Sequence, residues 1–198
     1  MRNWTQLLAL FIGLQLSAQD AEWTSIKDIN PFIGTGGHGH THPSAQAPFG
    51  MIQLGPNTRY DGWDGCSGYH YTDSAMYGFT CTHLSGTGVS DYGDLLMLPY
   101  SSPTKEGDHI KFFKEDEHAQ AGYYACILDD GTRIEATASD RVGKLRLHFP
   151  RNSSPGIMVD LNFRDRVLKQ DFSALGDGKF EGRRCAQLTN RPRKGRPN

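Results

Sequence analysis

The sequence predicts an all-β fold, an antiparallel β-sandwich, and three observations carry that expectation. Apolar and polar residues alternate with the period of two that a half-buried strand requires. Turn residues punctuate these runs at short spacing. Helical periodicity is almost absent along the chain.

The elements follow in chain order. Residues 48–54 (PFGMIQL) form an apolar run bounded by Pro and Gly, and residues 94–99 (DLLMLP) form another before a proline stop. Residues 123–128 run into Asp129-Asp130-Gly131, a hairpin signal, and residues 132–139 (TRIEATAS) supply the returning arm. There Ile134, Ala136 and Ala138 alternate with Arg133, Glu135 and Thr137, which gives one dry and one wet face. Residues 142–149 (VGKLRLHF) repeat the pattern with Leu145, Leu147 and Phe149 inward, and residues 157–161 (IMVDL) read as a more fully buried strand. Between the early strands, residues 55–93 are rich in Gly, Ser, Tyr, Asp and His. So long a polar, aromatic loop region is uncommon in a compact domain unless it binds something.

The two ends differ from this body. Arg2, the apolar run LLALFIGLQL at residues 7–16 and the small residues Ser17 and Ala18 read as a secretory signal peptide over residues 1–19. That run is too short for a membrane span, and no other stretch approaches the roughly 20 apolar residues one needs. Export to a periplasm, a cell surface or the medium is the expectation. The formal net charge of −1 argues against a nucleic-acid partner. Residues 1–182 hold all 22 acids against 15 of the 21 Lys and Arg, a net −7; residues 183–198 hold six basic residues and no acid. About 180 residues after the signal peptide make one domain the expectation. Residues 183–198 are read as a basic tail, either disordered or translated in a lost frame.

The motifs of residues 29–43 (INPFIGTGGHGHTHP) admit competing chemistry. Gly34-x-Gly36-x-x-Gly39 matches a dinucleotide fingerprint in spacing, but Pro31, Pro43 and Pro48 leave no helix to receive a pyrophosphate. His38, His40 and His42 project to one side of an extended segment, as metal ligands would. No acidic residue lies between Asp28 and Asp61 to complete such a site, so a Gly-rich turn whose histidines bond a neighbouring loop is preferred. His70, His83 and residues 85–88 (SGTG) lack a nucleophile-elbow context. Asp61, Asp64, Asp73, Asp91 and Asp94 suit acid–base work or, more commonly, turns. Trp63 between Asp61 and Asp64, followed by Tyr69, His70 and Tyr71, has the composition of a sugar site: a flat ring for the apolar face of a pyranose, with polar groups for its hydroxyls. Of the four cysteines, Cys66 and Cys81 are spaced to close a 15-residue loop, but unpaired buried thiols are preferred, and no Cys-x-x-Cys pair supports a zinc or redox motif.

Five blocks in one order extend this reading: residues 29–41 (INPFIGTGGHGHT), 48–59 (PFGMIQLGPNTR), 61–71 (DGWDGCSGYHY), 78–99 (GFTCTHLSGTGVSDYGDLLMLP) and 159–165 (VDLNFRD). Over residues 25–182 the chain resembles the N-terminal domain of glycoside hydrolase family 92, the exo-acting, calcium-dependent α-mannosidases. The resemblance implies an N-terminal β-sandwich followed by a larger helical (α/α)6 domain, absent here. It implies inversion by a general acid and a general base that both belong to the helical domain, so no catalytic residue is expected in this chain. The calcium would be held mainly by the helical domain, with no metal ligand expected here. The N-terminal loops would contact an α-mannoside glycan such as an N-glycan, and the matching positions are Trp63 and Asp64, with His38, His40 and Cys66. Two positions depart from the family pattern: Cys81 replaces a histidine, and Ser44 replaces a glycine. The expectation is an incomplete N-terminal domain of an exported α-mannosidase; the alternative is a stand-alone carbohydrate-binding module.

Overall fold

The computed structural model describes residues 25–60, 62–105 and 107–187. The expected signal peptide, residues 1–19, lies outside the described residues, as do Asp61 and residues 188–198. Among the described residues thirteen strands are defined: β1 (Ala45–Gln46), β2 (Gln53–Asn57), β3 (Ala75–Met76), β4 (Gly78–Thr80), β5 (Leu96–Tyr100), β6 (Ile110–Lys111) and β7 (His118–Gln120). They continue with β8 (Tyr123–Ile127), β9 (Arg133–Ala138), β10 (Gly143–His148), β11 (Gly156–Asp160), β12 (Arg166–Gly176) and β13 (Lys179–Gln187). Two single 3₁₀ turns, Ile26–Asp28 and Lys114–Asp116, are the helical elements among the described residues.

The strands form two facing antiparallel sheets. One has the order β1-β2-β4-β5-β11 and the other β10-β9-β8-β7; β3 pairs with β6, and β12 with β13, as separate ribbons. The alternation read in residues 132–139 is realised: Ile134 and Ala136 are buried while Arg133 and Thr137 are exposed. The Asp129-Asp130-Gly131 turn closes as expected, with Gly131 at φ 83° and its N–H on the Leu128 carbonyl at 2.9 Å. Inward residues of both sheets meet in one core: Ala45, Leu54 and Phe79 from the first, Tyr124, Cys126, Ile134 and Ala136 from the second. The Phe79 and Tyr124 rings join the layers edge to face, 5.8 Å apart.

Three sequence expectations are corrected. The first run becomes a strand only at Gln53, because Gly50 N–H bonds Ala47 O in a turn that holds Phe49 at φ 59°. The strand over residues 157–161 is not fully buried. β11 pairs only with β5 at the sheet's edge, leaving Ile157 49% and Val159 37% exposed. The boundary at residue 183 also moves, since β13 carries Arg183–Gln187 in register with β12, Asp171 opposite Arg183 and Lys169 opposite Cys185. Cross-strand pairing, which composition does not reveal, supplies the structure there. All four cysteines are free; Cys66 and Cys126 are buried as expected, while Cys185 is exposed.

Core energetics give a direct check. Phe79→Ala removes a ring with no exposed surface at the junction of both sheets, and should cost about 3–5 kcal/mol in chemical denaturation. Phe113→Ala removes a ring that is 48% exposed and should change stability by no more than about 0.5 kcal/mol.

Candidate functional site

Three loops converge at one end of the molecule. The first, residues 34–41, turns on itself through Gly39 N–H to Gly36 O at 2.9 Å and Thr41 N–H to Gly34 O at 3.3 Å. A Cβ on Gly39 would lie 1.9 Å from Gly34 O, so only glycine fits there. Cross-bonds hold the second loop, residues 62–71, to the first. Tyr71 N–H donates to Thr35 O at 2.9 Å, Ser67 Oγ donates to Thr41 O at 2.8 Å, and His70 Nε2 donates to Gly37 O at 2.9 Å. The third, residues 85–89, is anchored by Gly86 N–H to His40 O at 2.7 Å.

At their junction stands Trp63, 58% exposed. His40 meets its ring edge-on at a centroid distance of 4.4 Å, and His38 lies 5.5 Å away on a tilt. Gly88, at φ 71°, lets the third loop press against the indole: a Cβ there would come within 2.7 Å of Trp63 Nε1. Beside the ring, His38 Nδ1 lies 2.9 Å from Asp64 Oδ1. That hydrogen bond, aided by the nearby charge of His38, His70 and His40, holds the Asp64 carboxyl below the usual aspartate range. Asp64 is therefore an acceptor at neutral pH.

The second loop is braced from beneath. Arg59 grips Asp73 through Nε at 3.0 and 3.2 Å and Nη2 at 2.9 Å, and donates from Nη1 to Asp64 O at 3.3 Å. Buried Arg164 donates to Cys66 O at 3.2 Å and to Arg59 O at 2.5 Å. Such charge-assisted bonds to carbonyls are the strong ones. Tyr69 ties the loop to the second sheet, donating to Glu117 at 2.9 Å while Tyr124 donates to the same carboxylate at 2.7 Å.

Four of the five expected site residues come together: Trp63, Asp64, His38 and His40. Cys66 does not join their surface. It is fully buried beneath the loop, and burial pushes its thiol above the ordinary range, so it supports the loop backbone rather than facing solvent. The three histidines of residues 38–42 diverge: His38 goes to Asp64, His40 to Trp63, and His42 inward to stack on His83 with ring centroids 4.5 Å apart. Among the described residues no three His, Cys, Asp or Glu side chains are grouped to hold a metal ion. Ser44, at the position of the family glycine, is buried just before β1, and Cys81 lies half-buried against the core. Sequence reading missed Arg59, Arg164 and Glu117. Arg164 lies within the quoted block at residues 159–165, but neither periodicity nor composition singles out the arginine of that block for burial.

Residues 29–195 match the family model for the glycosyl hydrolase family 92 N-terminal domain. The chain belongs to glycosyl hydrolase family 92. A secreted glycosidase of Arthroderma benhamiae, described as uncharacterized, is 28% identical over 175 residues, which is 80% of this chain and 22% of that protein. An α-mannosidase of the family from Bacteroides thetaiotaomicron, solved with mannoimidazole, is 33% identical with a TM-score of 0.76, covering 81% of this chain and 23% of that one. A second structure from that organism, an inverting mannosidase, shares the fold at a TM-score of 0.71 and 24% identity, over 82% of this chain and 22% of that one. The chain thus spans about a quarter of the length of these relatives. No helix among the described residues is long and apolar enough to cross a membrane.

The buried histidine pair makes stability depend on pH. His83 Nδ1 faces the Ser67 carbonyl at 2.7 Å, which can only accept, so Nδ1 carries the proton and Nε2 faces the Thr80 hydroxyl at 3.3 Å. Burial, together with the Arg164 charge, lowers His83 to about 4, and burial beside His83 lowers His42 as well. Below about pH 6.5 the unfolded chain takes up protons that the folded chain refuses, so stability falls with falling pH until the folded groups titrate. We expect unfolding free energy to be flat in these groups above pH 7. It should decline as pH falls from 6.5 toward 4, by at most about 1.4 kcal/mol per pH unit for each histidine still neutral in the folded state. Denaturation across that range, compared with His42→Gln, checks the slope, which should lessen in the variant.

Proposed function

We infer that this domain is the substrate-contacting part of an exported α-mannosidase, and that Trp63, Asp64, His38 and His40 meet the sugar. The observation that carries the reading is the exposed Trp63 ring, set on His40, with the His38–Asp64 pair at its flank. An indole face of this kind covers the apolar side of a pyranose. The ionised Asp64 accepts a sugar hydroxyl through Oδ2, which has no partner among the described residues, while Oδ1 keeps His38 oriented. His38, its side chain 82% exposed, offers Nε2 to a second hydroxyl. Membership of family 92, the mannoimidazole-bound relative and the secreted relative support this reading.

In that reading the chemistry belongs to a helical (α/α)6 domain rather than to the sandwich described here. A general acid and a general base there, roughly 6.5–9.5 Å apart, would admit the water that inverts the anomeric centre of a terminal α-mannoside, such as one on an N-glycan. Calcium would be held mainly by the same domain. The contribution of the loops here is to close over the sugar and exclude water.

The isolated chain is therefore expected to leave an aryl α-mannoside intact with calcium present; turnover abolished by a chelator would overturn the division of labour. Calorimetry with mannose and α-1,2-mannobiose is expected to register no binding by the chain alone. Saturable binding lost in Trp63→Ala would favour a stand-alone carbohydrate-binding module.

A further inference from the structure

The outward face of the second sheet carries charge that the loop site does not use. Residues paired across strands share a face, and the register places Thr137 between Tyr123 and Lys144, Glu135 between Ala125 and Arg146, and Arg133 between Ile127 and His148. Three cations therefore surround one carboxylate, giving this face a net +2 in a chain whose net charge is −1. Glu135 acts as the keystone. Tyr123 donates to it at 2.8 Å, Arg133 lies at 3.3 Å, His148 at 3.4 Å and Arg146 at 3.7 Å. Its neighbours are held in place while their outer donors remain open: Arg133 is 54%, His148 57% and Arg146 64% exposed at the side chain. Lys144 has no hydrogen bond or ion pair among the described residues. A cleft of about 140 Å³ opens between Tyr123, Thr137, Lys144 and Arg146 above Glu135.

We propose that this face is a second saccharide-binding surface, separate from the Trp63 loops, and that it takes a sugar bearing a carboxylate or sulfate group. Lys144 and the open donors of Arg146 receive the anionic group. The hydroxyls of Tyr123 and Thr137 meet the neutral part of the ring. Charge complementarity selects the anion. Three cations around a half-buried acid are too few, and too interrupted, to follow a nucleic-acid backbone. The face also lacks the large exposed apolar residues that would enter a bilayer.

The test is calorimetry or affinity electrophoresis of the full chain in 50 mM salt. The probes are an oligogalacturonate for the carboxylate and a heparin-derived tetrasaccharide for the sulfate, with mannobiose as the neutral control. Binding of at least one acidic probe is expected, weakened tenfold or more in Lys144→Ala/Arg146→Ala and unchanged in Trp63→Ala. Both substituted residues are solvent-exposed, and the single Lys144→Gln should give a smaller loss in the same direction. No binding of either probe, or equal binding by the double variant, overturns the proposal. So does loss in Trp63→Ala, which would place the ligand on the loops, or equally tight binding of anionic vesicles or single-stranded DNA through Lys144 and Arg146. Because the readout does not involve mannosides, failure here leaves the loop reading intact, and failure of that reading leaves this one intact.

Discussion

A buried carboxylate anchors the relation between the sandwich and its loops. The Glu117 side chain is 1% exposed, and withdrawing such a charge from water costs several kcal/mol unless donors replace the solvent. Here the donors come from three parts of the chain: Lys114 Nζ at 2.8 Å from the 3₁₀ turn, Tyr124 at 2.7 Å from β8, and Tyr69 at 2.9 Å from the Trp63 loop. Lys114 is also held by aromatic faces, 4.7 Å from the Tyr69 centroid, 5.0 Å from Tyr71 and 4.6 Å from Phe112. Burial and the Glu117 charge push the Tyr69 phenol far above its ordinary range, so it remains a donor. Removing one member would strand the others, which is why a polar cluster of this kind fixes a single loop position.

From Tyr69 the constraint passes along the loop to Trp63 through backbone rather than side-chain contacts. Arg164 and Arg59 both end on carbonyls of residues 59–66, and carbonyls are held without selecting the side chains that bear them. The exposed residues of the loop are thus free to be chosen for a ligand while its path is set from below. His42 and His83 complete the support from the other side, as a neutral stacked pair that fills space beneath the histidines facing outward.

How much of this is legible in the sequence follows from the range of the interactions. The β8–β9 hairpin is readable because its turn and its alternation lie within about 20 residues of chain, and the register Cys126 opposite Ile134 obeys both. The grouping of Trp63, Asp64, His38 and His40 is readable because their motif blocks keep their order. The edge position of β11, the pairing of β13 beyond Arg183 and the burial of Cys66 are not, since each depends on which strand or side chain arrives from far away. Glu117 illustrates the limit: its partner Tyr69 is 48 residues distant, and nothing local separates it from the acids at 115 and 116.

Strain marks the same end of the molecule. Tyr92 at φ 66° and Leu95 at φ 55° sit in the left-handed region, where a bulky side chain costs about 1–3 kcal/mol. They persist because the segment is held on both sides: Gly93 N–H bonds Thr82 O at 3.0 Å, His83 bridges to Tyr92, and Gln53 Oε1 receives His83 N–H at 2.8 Å. These contacts flank residues 85–89, where Gly88 packs against the Trp63 indole. The left-handed backbone at Leu95 accounts for β5 beginning only at Leu96, two residues later than the apolar run alone suggests.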